Sequence, residues 1–93
     1  MAEFIAKVKE RHQYYLAQEN CRTIYNLHLH MLESMISFLE IYPTDIAWQH
    51  KTIKIFGDLY GAPALRLSWT EAEWDHWWLD LFYFKRILPQ ISQ

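Results

Sequence analysis

The longest run of unbroken helical patterning lies at 22–42, RTIYNLHLHMLESMISFLEIY, which holds no Gly or Pro. At steps of about 100° per residue, Ile24, Leu27, Met31, Met35, Phe38 and Tyr42 fall within about 60° of one line. Leu32, Leu39, Ile36, Tyr25 and Leu29 widen the apolar arc to roughly 200°. A surface helix needs a stripe little wider than about 100°, so this one is expected to touch at least two neighbours. The discordant residue within the arc is His28.

Residues 3–19 predict a first helix, with Phe4, Ile5, Val8, His12, Tyr15 and Leu16 on an arc of about 120°. The polar run Gln18-Glu19-Asn20 follows, where Asn20 either interrupts the helix or caps the next. No Gly or Pro forces a break there, so one long helix over 3–42, paired in a dimer, is the competing expectation. Pro43 is expected to end the second helix, because it lacks a backbone donor and constrains Tyr42.

Thr44 or Asp45 then caps a third helix over 45–60, with Ile46, Ile53, Phe56 and Tyr60 on one face. The β-branched Thr52, Ile53 and Ile55 keep open an alternative, a short hairpin within 52–68 that would make the fold α+β. Gly57, Gly61 and Pro63 punctuate 57–65.

The fourth helix, 70–88, has the clearest start. Ser68-Trp69-Thr70-Glu71 and Thr70-Glu71-Ala72-Glu73 both fit a capping box, and Glu71, Glu73 and Asp75 suit the positive end of the helix dipole. Trp74, Trp77, Trp78, Leu81, Phe82 and Leu88 form its main apolar face. Leu79, Tyr83 and Ile87 point roughly opposite, while Glu73, His76 and Asp80 make a polar stripe expected to be solvated. Pro89 is expected to stop the helix. The fold predicted is a single all-α domain, 1–93, a bundle of about four helices.

Composition adds one thing to this picture. Five Trp, six Tyr and five Phe in 93 residues exceed what a small core readily encloses, and such rings are enriched in interface cores. Some are expected at a partner surface or around a pocket. Formal charge is −2, with no concentrated basic field, so nucleic acid is not an expected partner. A helix-turn-helix reading of 45–60 and 69–88 fails on charge as well, since its second helix would bring Glu71, Glu73 and Asp75 to phosphates. A lone Cys21 allows no internal disulfide and fits a reducing compartment. The opening MAEFIAKVKE lacks a leader's apolar run, and no long uncharged apolar window exists. A cytoplasmic protein without a membrane span is expected.

Candidate chemistry is sparse. His28 and His30 stand about 200° apart on a helix and cannot share a metal. Glu73-x-x-His76 has the spacing of carboxylate di-iron bundles but lacks the second such pair. No phosphate loop, zinc motif or nucleophile elbow appears. No metal, cofactor or catalytic residue is therefore assigned. His12 and His28, both on apolar arcs, are the possible ligand-facing groups, with Glu19 or Tyr15 as hydrogen-bond partners.

The function expected is a small cytoplasmic interaction module that regulates or inhibits a protein partner, or pairs with a second copy of itself. Trp48, Trp69, Leu79, Tyr83 and Ile87 are its expected contacts. The alternative is a ligand-binding or enzymatic bundle with an aromatic-lined pocket and His12 and His28 as its polar groups.

Overall fold

A computed structural model describes residues 3–91, with the side chain of Ile91 excepted. Among these residues there are six helices and no strand: α1 (Glu3–Leu16), α2 (Cys21–Ile24), α3 (Asn26–Leu39), α4 (Ile46–Tyr60), α5 (Pro63–Arg66) and α6 (Glu71–Ile91). Four long helices build the core. α3 packs on both α1 and α4, α6 packs on both of those as well, and α3 also touches α6. The broad apolar arc of α3 thus serves several neighbours, burying Leu29, Met31, Leu32, Met35 and Leu39.

The chain breaks between α1 and α3, so the single helix over 3–42 does not form, and α4 and α5 take the place of the hairpin within 52–68. The break has a local cause. Asn20 adopts φ 57° and ψ 34°, the left-handed region that Asn tolerates better than most residues. Its carbonyl accepts from Thr23 and Ile24 N–H, while its side chain makes no cap bond. Glu33 fastens this corner from α3. It receives the Arg22 guanidinium at 2.7 and 3.4 Å and meets His12 Nε2 at 2.9 Å. The Arg22 bond is the main reason that Glu33 sits below the ordinary carboxylate value; burial opposes the shift and His12 assists it.

Two proline expectations change. α3 ends at Leu39, before Pro43, and α6 continues through Pro89 to Ile91. Pro89 falls in the last turn, where the i→i−4 bond that a proline forfeits interrupts no following ladder. Asp45 does cap α4, its carboxylate accepting from Trp48 N–H at 3.0 Å.

Gly61 closes α4 with φ −86°, so its backbone conformation does not require glycine. Space does. A Cβ there would stand 2.8 Å from Trp77 Cη2 and 2.7 Å from the Gly57 carbonyl oxygen. Gly61 therefore lets Trp77, fully buried, slide under the end of α4. Around it Trp69, Trp74 and Trp78 pack at ring separations of 6.0, 5.5 and 4.2 Å. No described helix is long and apolar enough to cross a membrane.

Candidate functional site

Two features stand out on this frame: a buried polar network and an exposed apolar face. Both involve α6, and they meet at Arg11 and Asp80, which line the groove beside the exposed face.

The network begins with the stripe expected to be solvated. Glu73 and Asp80 are each only 2% exposed. This is a correction with a plain geometric reason. The buried positions of α6 are Glu73, Trp77, Asp80, Leu81, Phe84, Ile87 and Leu88, spaced at threes and fours, so two carboxylates occupy the line that faces the core. Phe82, expected on the main apolar face, is 58% exposed instead.

Each carboxylate has a defined partner set. Asp80 Oδ1 accepts from Arg11 Nε at 2.8 Å, and Oδ2 lies 2.9 Å from His28 Nε2. An ionised carboxylate only accepts, so His28 carries hydrogen on Nε2. Arg11 Nη2 donates to the Tyr15 hydroxyl at 3.0 Å, and the Tyr15 ring stands edge-on to His28 at 4.4 Å. The other His28 nitrogen, Nδ1, is buried without a hydrogen-bond partner. Burial alone works to lower the Arg11 value, but Asp80 and Tyr15 overcome it and raise the guanidinium further. Tyr15 is pushed well above the ordinary phenol value, first by burial, then by the Asp80 charge and its hydrogen bond.

The Tyr15 shift has a consequence at alkaline pH. A folded-state value above the unfolded one means the native chain keeps its phenol proton after the unfolded chain releases it. That contribution is complete below the unfolded value near 10 and is lost as pH rises toward the folded value. Wild-type stability is expected to fall with an added slope approaching about 1.4 kcal/mol per pH unit above roughly pH 10. Urea unfolding across that range checks it, with Tyr15→Phe as the reference lacking the proton. Parallel slopes for the two chains would sink the assignment.

Glu73 acts at two helix ends. Its own N–H donates to Thr70 Oγ1 at 3.0 Å and its Oε1 accepts from Thr70 N–H at 3.3 Å, which realises the second capping box of the sequence. Its Oε2 accepts from His28 N–H at 2.8 Å. His28 is the third residue of α3, and Tyr25, the residue preceding that helix, makes no side-chain cap bond. A carboxylate from α6 thus supplies the cap that α3 lacks. The Thr70 hydroxyl also donates to Ile24 O at 3.2 Å, drawing α2 to the same point.

His12 and His28, paired in the sequence reading, take separate partners, Glu33 and Asp80. Glu19 is exposed, and Tyr15 touches His28 through its ring. His76 lies between the rings of Tyr15 and Tyr25, at 5.6 Å from each, and no group of three or more metal-ligating side chains gathers among the described residues. The sequence offers Tyr15 beside His28 and places Asp80 on a polar stripe, but neither Arg11 nor the pairing of Asp80 with His28 is read from a motif. The signal that finds them is His28 itself, because a histidine on an apolar arc requires a polar partner from another element.

The second feature is the outer side of α6. Leu79 is 63% exposed, and with Tyr83, Tyr14, Glu10 and Arg11 it lines a groove of about 540 Å³ between α1 and α6. Phe82 adjoins it, stacked on Trp78 at 5.6 Å, and Arg86 stands over the Tyr83 ring at 5.7 Å. Of the expected contact residues, the structure brings Leu79 and Tyr83 together here. Trp69 belongs to the core, its indole N–H donating to Tyr60 O at 3.0 Å. Ile87 is likewise buried. Trp48 lies apart, stacked on Phe38 at 4.7 Å and donating to Phe38 O at 2.7 Å.

Comparison with protein-family models, curated proteins and solved structures returns no match to this chain.

Proposed function

We propose that the chain is a small cytoplasmic protein-interaction module that regulates or inhibits a protein partner, docking through the outer face of α6. The observation that carries this reading is the exposure of Leu79 and Phe82, at 63% and 58%, side by side on one long helix. Large apolar side chains grouped on a surface lose nothing by leaving water, and burial of each is worth about 1.5–3 kcal/mol. Tyr83 and Tyr14 border the same groove and supply ring faces and hydroxyls suited to an interface. The polar network beneath holds α1 and α6 together through Arg11 and Asp80, which fixes the two walls of the groove.

The partner is another protein or a second copy of this chain. Leu79→Ser and Phe82→Ser are each expected to weaken the association about tenfold or more without altering the helical circular dichroism. Leu67→Ser, at 95% exposure outside this face, is the control. Sedimentation of the isolated chain separates self-association from binding to another protein. A monomeric chain whose partner affinities are unchanged by both substitutions refutes the proposal.

A further inference from the structure

A second groove lies between α4 and α6 and differs in chemistry from the outer face. Its volume is about 390 Å³, inside the roughly 300–1,000 Å³ of small-molecule sites. Ile53, Leu81 and Leu88 make a buried apolar floor, and half-buried Trp78 forms a flat wall. Gly57 also lines it, in the last turn of α4. A Cβ at that position would come within 3.3 Å of Leu81 Cδ2. Glycine therefore lets α6 settle against α4 while leaving the groove floor bare of a side chain.

The rim is polar and carries two lysines. His50 and Lys54 reach it from α4 and Lys85 from α6. The one carboxylate of the lining, Asp58, is engaged by Lys54 at 3.3 Å, whereas Lys85 makes no ion pair among the described residues. In a chain of net charge −2, Lys85 places one unneutralised positive charge at the edge of this apolar floor. The groove is thus mixed, an apolar base under a polar rim, and both parts can orient a ligand.

We propose that this groove binds a small aromatic carboxylate. The ring packs on Trp78 and over Ile53 and Leu81, and the carboxylate faces Lys85, with Lys54 across the rim. The groove adjoins the protein-docking face, since Phe82 stacks on Trp78, but the ligand assignment does not rest on protein docking.

The test titrates naphthalene-1-carboxylate into isotope-labelled protein, with naphthalene-1-methanol as the uncharged counterpart. Saturable shifts are expected at the amides of Ile53, Gly57 and Leu81 and at the Trp78 indole N–H. The alcohol should bind about tenfold more weakly, as should the acid to Lys85→Gln, each the equivalent of one charge-assisted contact. Lys51→Gln, whose ammonium lies over Trp48, should bind like wild type. These lysines are exposed, so circular dichroism confirms that each variant folds. The proposal is overturned if the acid gives no saturable shifts, if the alcohol binds equally well, or if Lys54→Gln and Lys85→Gln combined leave the affinity unchanged.

Discussion

Asp80→Ala is expected to cost about 3–5 kcal/mol of folding stability, the range for stripping one partner from a buried ion pair. The side chain is 3% exposed and His28 is 0% exposed, while Arg11 retains 30%, so the loss falls mainly on the histidine. His28 Nδ1 already lacks a partner. Without Asp80 neither ring nitrogen is bonded, inside a site walled by Tyr15 and Trp69. Arg11 can turn toward water and recover part of its solvation. Natural domains hold only roughly 5–15 kcal/mol in total, and a chain of this length has a modest core. The alanine variant should therefore retain only part of the wild-type margin and unfold at clearly lower urea concentration and temperature.

Asp80→Asn separates charge from shape. The amide oxygen still accepts from Arg11, and the amide N–H₂ meets Nε2 of a histidine that has moved its proton to Nδ1. A loss of about 2 kcal/mol is expected, lying between the cost of one charged hydrogen bond and that of the broken pair. Urea denaturation measures both variants, and a double-mutant cycle with His28→Ala isolates the coupling. Wild-type midpoints for both would show that the network is held from elsewhere.

The same residues explain what the sequence makes legible and what it hides. Helix existence follows from local rules: a long apolar period at 22–42, an acidic cap at Asp45, a capping box at Thr70 and Glu73. The direction in which α6 faces does not. Its rings at Trp74, Trp78 and Phe82 pull the apparent apolar face about 80° away from the line actually buried. That line contains Glu73 and Asp80, which any hydrophobicity pattern assigns to solvent. Their burial depends on Arg11, His28 and the α3 terminus, from 45 to 69 residues distant in sequence, and no local window contains those partners. The misplacement of Trp69, Ile87 and Phe82 follows from this one rotation and from Trp69 tucking under Tyr60. Leu79 and Tyr83 stand far enough round the helix to stay off the buried line on either reckoning, Leu79 exposed and Tyr83 half-buried.

Glu73 gives the second large effect, and it acts through helix ends rather than through an ion pair. Glu73→Ala removes the acceptor of Thr70 N–H and the acceptor of His28 N–H together. The first is a capping interaction worth about 1 kcal/mol. The second is larger, because His28 is fully buried and an orphaned backbone donor away from water costs about 1–3 kcal/mol. The negative charge near the positive ends of α3 and α6 is lost as well. A total of about 2–4 kcal/mol is expected, lowering the melting temperature by roughly 10–20 °C for a domain of this size. Glu73→Gln keeps one acceptor but turns an N–H₂ toward a backbone N–H, so it should fall short of alanine yet exceed Thr70→Ala, which loses one cap acceptor. Amide hydrogen exchange distinguishes a shared cap from general loosening. In Glu73→Gln the His28 amide should exchange faster by a larger factor than the amides of Met35 and Leu39, deeper in α3. Equal acceleration along the helix would mean that Glu73 contributes only to overall stability, and that α3 finds its N-terminal cap elsewhere.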